Sequence, residues 1–161
     1  MLISKDLNAA INEQIGHEFM ASHTYNNIAA YFENMALKKL AGMFYKQANE
    51  EHEHALKFIH YVPQTGGILA IPTVPAPKSD FASIEEAIKL SLDWELEVTR
   101  RINNLMSLAI KEKDYIAQDF LRWFVTEQLE EVSSMENLLK IIQMAGEKNI
   151  FMLEAYLSHE G

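Results

Sequence analysis

Through most of this 161-residue chain, apolar residues recur every three or four positions, the period of one face of an α-helix. The series Ile11, Ile15, Glu18, Ser22, Tyr25, Ala29, Phe32 predicts a first helix from about Lys5 to Glu33. Leu37, Leu40, Phe44, Ala48, Glu51, Ala55, Phe58 predict a second, from about Leu37 to near Tyr61. Ile84, Ile88, Ser91, Glu95, Val98, Ile102, Leu105 predict a third, starting after Ser83 and ending about Lys111, with Ser83-Ile84-Glu85-Glu86 as a capping box. Ala117, Phe120, Phe124, Glu127, Glu131, Ser134, Leu138, Ile142 predict a fourth, N-capped by Asp114 and running to about Ala145. Gly146 suits a helix C-terminus, and a short fifth helix fits about Lys148 to Ser158.

Between these helices the punctuation is uneven. All four prolines lie between Pro63 and Pro77, with Gly66 and Gly67 beside them, so residues 65–82 read as a connection. Long helices of this kind reach roughly 40 Å. The links joining the first to the second and the third to the fourth are short, which makes each pair antiparallel neighbours. A connection of about 18 residues, at about 3.3 Å each, spans the whole bundle and lets the second and third helices run parallel. The expected architecture is therefore all-α: a four-helix bundle with one long crossover and a short fifth helix, forming one domain over residues 1–161. Ile68, Leu69, Ile71 and Val74 make the crossover apolar in places, so it is expected to pack on something, such as another subunit.

Each apolar stripe is broken near its midpoint by a carboxylate. Helices centred together bring their midpoints to one level, so Glu18, Glu51, Glu95 and Glu127 are expected to converge inside the bundle. Buried, unpaired carboxylates are severely destabilising. No Lys or Arg shares their level on the stripes, which leaves a multivalent cation as the economical partner. His54 follows Glu51 by three residues on the same face, the Glu-x-x-His pattern of di-metal carboxylate sites. Glu131 stands one turn beyond Glu127 and Tyr25 two turns beyond Glu18. Mixed carboxylate and imidazole donors suit iron, manganese or zinc. Glu18 and Glu51 are 33 positions apart, Glu95 and Glu127 are 32 apart, so the two helix pairs echo each other and fit a quasi-symmetric, two-metal site. His17, His23, His52, His60 and His159 read as surface or interface residues, and Trp123, beside Phe124, as packing.

Composition narrows the field. With no cysteine, the chain has no disulfide framework and no thiolate ligand or nucleophile, which fits the cytoplasm. Met1 to Asn12 carries no apolar run of signal-peptide length, and no stretch approaches the roughly 20 apolar residues of a membrane span. A formal net charge of −9 disfavours nucleic acid and attracts cations.

Three segments carry a specific resemblance: Asn12-Glu13-Gln14-Ile15-Gly16-His17-Glu18, Glu50-Glu51-His52-Glu53-His54 and Glu127-Gln128-Leu129-Glu130-Glu131. Across nearly its whole length the chain resembles the bacterial non-haem ferritins, whose ferritin-like bundle has the long crossover inferred above. The resemblance implies a ferroxidase that oxidises Fe(II) with O2 or H2O2 at two irons per subunit. Glu18, Glu51 and His54 would hold one iron, and Glu51, Glu95 and Glu127 the other, with Glu51 bridging. Gln128 would sit beside the centre and Tyr25 would hydrogen-bond within it. A third, weaker iron site would use Glu50, Glu127, Glu130 and Glu131. The resemblance also implies a homo-oligomeric shell of twenty-four subunits that stores ferric mineral. No haem is expected, because Glu130 stands where bacterioferritins carry a second Glu-x-x-His histidine, and His52 where they carry the haem methionine. The rival expectation is a stand-alone di-iron oxidase or peroxidase that stores nothing.

Overall fold

A computed structural model describes residues 1–160 as five α-helices and one 3-10 turn. The helices are α1 (Lys5–Asn34), α2 (Lys38–Gln64), α3 (Ile84–Glu112), α4 (Tyr115–Ala145) and, after the turn Glu147–Asn149, α5 (Ile150–Glu160). Local chemistry sets most of the starts. Ser4 accepts the Leu7 N–H at 3.0 Å, Ser83 accepts that of Glu86 at 3.0 Å, and Asp114 accepts that of Ala117 at 2.9 Å. The Ser83 box is not reciprocal, because the Glu86 carboxylate reaches past Ser83 to the Ala82 N–H. The second helix is the exception, since Leu37 offers no capping side chain. Its free N–H groups are met from a distance: Glu154 of α5 accepts from Lys39 at 2.8 Å and Leu40 at 3.1 Å. This helix also runs on to Gln64, beyond the expected end near Tyr61. Pro63 lies in the last turn, and Thr65 closes that turn, its hydroxyl donating to the Val62 carbonyl at 2.9 Å.

The core divides into two apolar blocks. One contains Phe32, Leu37, Leu40, Ile84, Ile88, Leu138, Ile142 and Ile150, drawn from the end of α1, the start of α2, the start of α3 and the end of α4 with α5. The other contains Leu7, Ile11, Phe58, Val62, Ile102, Ala109, Ala117 and Leu121, from the opposite ends of the same helices. Both α2 and α3 therefore run from the first block to the second, and the crossover does carry the chain back along the bundle. In section, α1 packs on both α2 and α3, and α3 packs on α4. The bundle thus presents an α1–α3 face and, opposite it, an α2–α4 face.

Asparagines of α1 fasten the crossover. Asn8 donates to the Ile68 carbonyl at 2.9 Å and accepts its N–H at 2.7 Å, Asn12 donates to the same carbonyl at 2.9 Å, and Asn27 donates to the Lys78 carbonyl at 3.1 Å. Gly16 lets the strap lie against the helix, since a Cβ there would meet Pro72 Cγ at 2.6 Å. Ile68, Leu69 and Ile71 remain exposed on the single chain.

The predicted stripes of α1, α2 and α3 are buried at every position, but that of α4 is not. Its buried face is Ala117, Leu121, Phe124, Gln128, Glu131, Met135, Leu138 and Ile142. Phe120 and Glu127 are half-buried and Ser134 is exposed. The expected register is one residue early at three positions. In each adjacent pair (Phe120–Leu121, Glu127–Gln128, Ser134–Met135) the three-or-four spacing admits either member, and burial selects the second.

Candidate metal centre

Between the two apolar blocks lies a polar layer, in which Glu18, Glu51, His54, Glu95, Gln128 and Glu131 are each at most 5 % exposed. Helix geometry puts them there: each sits on its helix's buried stripe, at the level where the blocks meet. Ligand-type atoms gather within 4.8 Å of one another in three overlapping groups: Glu18, Glu51 and His54; Glu51, Glu95 and Glu131; His54, Glu127 and Glu131.

Hydrogen bonds orient most of these groups. The His54 Nδ1 atom lies 3.1 Å from Glu51 Oε2 and 3.7 Å from Glu18 Oε2. Gln14 donates to Glu18 Oε1 at 2.9 Å, and Gln47 donates to Glu51 Oε1 at 2.8 Å and to Glu131. The Tyr25 hydroxyl donates to Glu95 Oε1. Gln128 Nε2 lies 3.2 Å from Glu95 Oε2 and 3.1 Å from Thr99 Oγ1. One buried acceptor is left over, because Glu18 Oε2 has no hydrogen-bond partner among the described residues. The rings of Trp123 and Phe124 stand edge-on to His54, with centroids 5.3 and 6.0 Å away, and the Lys57 ammonium lies over the Trp123 ring at 4.3 Å.

The electrostatics follow from crowding. Burial, joined by neighbouring carboxylates, pushes Glu51, Glu95 and Glu131 each up to about 8. Burial alone would lower His54, but its contacts with Glu18 and Glu51 override that and raise it to about 11. Burial and the Glu95 charge hold the Tyr25 phenol well above its ordinary range. At neutral pH the layer therefore retains protons on acids that one imidazolium cannot balance. A multivalent cation would replace those protons, and an orphaned carboxylate oxygen beside an imidazole is a suitable donor for it.

The structure gathers Glu18, Glu51, His54 and Glu95 as the sequence led one to expect, and corrects the fourth carboxylate. Glu131, not Glu127, comes within reach of Glu51 and Glu95, as the α4 register requires. Glu127 instead joins Glu131 and His54. Glu50, Glu127, Glu130 and Glu131 line one depression of about 320 Å³ on the α2–α4 face, where Glu130 is exposed and Glu50 is half-buried. Sequence reasoning missed Gln14 and Gln47, although each precedes a buried glutamate by four residues, one helical turn. It also missed the true internal repeat. Glu18, Glu51 and His54 recur 77 positions on (18 to 95, 51 to 128, 54 to 131) as Glu95, Gln128 and Glu131.

Residues 8–145 match the ferritin family, described as a ferritin-like domain. The chain is 39% identical over 146 residues to a bacterial non-heme ferritin of Staphylococcus haemolyticus, covering 91% of this chain and 88% of that one. It is 40% identical over 146 residues, with the same coverage, to the bacterial non-heme ferritin of Staphylococcus aureus. An open-pore ferritin from the hyperthermophilic archaeon Archaeoglobus fulgidus superposes with a TM-score of 0.93 at 32% identity, covering 98% of this chain and 97% of that one.

Proposed function

Because this chain belongs to the ferritin family, we propose that it is the subunit of an iron-storing shell whose polar layer oxidises Fe(II) before the ferric product is stored. The observation that carries this reading is the buried layer itself, with four fully or nearly fully buried carboxylates facing a single histidine between two apolar blocks. Such a layer costs stability unless it binds cations.

Fe(II) is the substrate. Glu18, Glu51 and His54 hold one ion, and Glu51, Glu95 and Glu131 the second, with Glu51 shared. Anionic oxygen donors favour Fe(III) over Fe(II) and so lower the barrier to electron loss. Two ions held side by side supply two electrons to one oxidant. Gln14, Gln47, Gln128 and Tyr25 aim the carboxylates by hydrogen bonding, as outer partners of metal ligands do. Glu127, shared between the layer and the α2–α4 depression, offers oxidised iron its next partner, with Glu50 and Glu130 beyond it. Large apolar side chains left exposed on the single chain (Leu129, Met144, Phe151, Met152) support burial against further copies, and membership of the ferritin family supports a homo-oligomeric shell of twenty-four subunits as the form that assembly takes. That is also why a stand-alone di-iron oxidase is the less favoured reading. Among the described residues no helix is long and apolar enough to cross a membrane, in keeping with a cytoplasmic shell.

The test is to add excess Fe(II) in air and follow iron and protein together through size exclusion. Iron far above two per chain on a very large assembly supports storage. About two per chain on a small species supports the stand-alone oxidase, and no bound iron overturns both.

A further inference from the structure

His54 stands where two pairs of carboxylates meet. A ring nitrogen of His54 lies within 4.8 Å of ligand oxygens of Glu18 and Glu51, and likewise of Glu127 and Glu131. A neutral imidazole has one lone pair to give and carries a proton on its other nitrogen, so His54 can complete a site with one pair at a time. Its Nδ1 is turned to the first pair, 3.1 Å from Glu51 Oε2 and 3.7 Å from Glu18 Oε2. The second pair lies toward solvent: His54 and Glu127 both line a hollow of about 380 Å³ on the α2–α4 face. Trp123 lines the same hollow, and its ring meets the His54 ring edge-on, with centroids 5.3 Å apart and planes at 78°. Phe124 does the same from the core at 6.0 Å and 81°, and is itself stacked on Phe58 at 4.2 Å. Trp123 is 41 % exposed, so burial alone does not fix its ring. Its further partner is the Lys57 ammonium, 4.3 Å from the ring centroid. Lys57 follows His54 by three residues, so the two share a face of α2.

We infer that Trp123 and Lys57 are positioning residues that commit His54 to the Glu18–Glu51 pair and withhold it from the Glu127–Glu131 pair. Each pair offers two carboxylates, so donor type does not choose between them, and the placement of the imidazole ring does. The choice has a chemical consequence. With Glu18 and Glu51, His54 completes a site that shares Glu51 with the second ion, so two electrons are available side by side. With Glu127 and Glu131, it would deprive that site of its nitrogen donor, draw Glu131 away from the second ion, and hold a lone cation beside the hollow. A modest contact suffices for this task, because it decides between two similar arrangements rather than building either one.

This inference rests on the cation-binding reading proposed above, and its test separates the two. Zn2+ affinity is measured by competition with a chromophoric chelator, and zinc is located in soaked crystals by diffraction at its absorption edge, for the parent, Trp123→Ala, Lys57→Gln and Lys57→Arg. In the parent, zinc is expected at Glu18, Glu51 and His54. Trp123→Ala is expected to lower the affinity of that site about tenfold, as loss of an outer partner of a ligand does, and to move zinc to His54, Glu127 and Glu131. Lys57→Gln should weaken the site about threefold, the weight of an exposed cation–π contact, and Lys57→Arg should keep the parent affinity. Charge alone predicts the opposite sign for Lys57→Gln, because removing one cation favours the binding of another. Trp123→Ala with zinc at the parent's position and affinity, or with both positions emptied alike, overturns the inference and leaves the cation centre standing. Should Trp123→Ala not fold, Lys57→Gln decides, and parent or tighter affinity there overturns the inference. Zinc absent from the polar layer of the parent overturns the cation-binding reading, and this inference with it.

Discussion

The two helix pairs meet the centre with unequal equipment. From α1 and α2 come Glu18, Glu51 and His54; the same register in α3 and α4 supplies Glu95, Gln128 and Glu131. The Glu51 carboxylate on one side thus corresponds to the Gln128 amide on the other, and the His54 imidazole to the Glu131 carboxylate. The amide donates to Glu95, and under the proposed assignment Glu51 is the carboxylate common to the Glu18–Glu51–His54 and Glu51–Glu95–Glu131 groups. A duplicated Glu51 would add another buried negative charge, and a duplicated His54 would remove one. On the proposed assignment, the asymmetry gives two cation sites of different character around one bridge.

Breaking the bridge gives the largest effect. Glu51→Ala removes a donor from both sites and is expected to slow Fe(II) oxidation by at least about 100-fold, beyond what outer partners of ligands command. Glu127→Ala should cost less than about tenfold, because Glu127 lies in neither of the two sites built on Glu51. Stopped-flow oxidation of both variants checks this, and equal losses would restore Glu127 to the centre.

Making the halves alike comes next. Gln128→Glu places a carboxylate opposite Glu51 and should destabilise the metal-free protein by about 3 kcal/mol at pH 8, the scale of an uncompensated buried charge. Saturating Zn2+ should recover most of that loss in thermal unfolding. No difference between metal-free variant and parent would mean that position 128 is not in the layer.

The pH dependence sharpens the comparison further. Glu51, Glu95 and Glu131 are raised from 4.5 to about 8, so the folded protein holds more protons than the unfolded chain between those values. Metal-free stability should therefore be greatest below about pH 4.5, as far as these groups are concerned, and fall as pH rises to about 8. His54, raised from 6.5 to about 11, acts in the same direction over its own higher window. Metal binding must expel these protons, so Zn2+ affinity should rise with pH, and weakly buffered titration at pH 7 should register acid release. Release of no protons would contradict the crowded-carboxylate account. The smallest effect belongs to Tyr25→Phe, expected to slow oxidation by about tenfold or less with Zn2+ stoichiometry unchanged, since it touches Glu95 only from outside.

Much of this was legible in the sequence because it is local. Ser83 and Asp114 announce the starts of α3 and α4, and the stripes of α1, α2 and α3 need only their own periodicity. The α4 register was not legible. Phe120–Leu121, Glu127–Gln128 and Ser134–Met135 each offer two admissible choices, and the search for carboxylates favoured Glu127 over an amide. The repeat from 18 to 95 fits Gln128, but only if a ligand is allowed to be replaced by a non-ligand. The cap on α2 was equally hidden, because Glu154 reaches Leu40 across 114 positions. Gln14 and Gln47 were visible as Gln-x-x-x-Glu but carried no weight until the glutamates were known to be buried.

The central claim is two unequal cation sites sharing Glu51, and diffraction from crystals soaked anaerobically in Fe(II), recorded at the iron absorption edge, tests it most directly. The account predicts two anomalous peaks per chain, one held by Glu18, Glu51 and His54, the other by Glu51, Glu95 and Glu131. A single peak, or iron held by Glu127 and Glu130 with none beside Glu95, would contradict it.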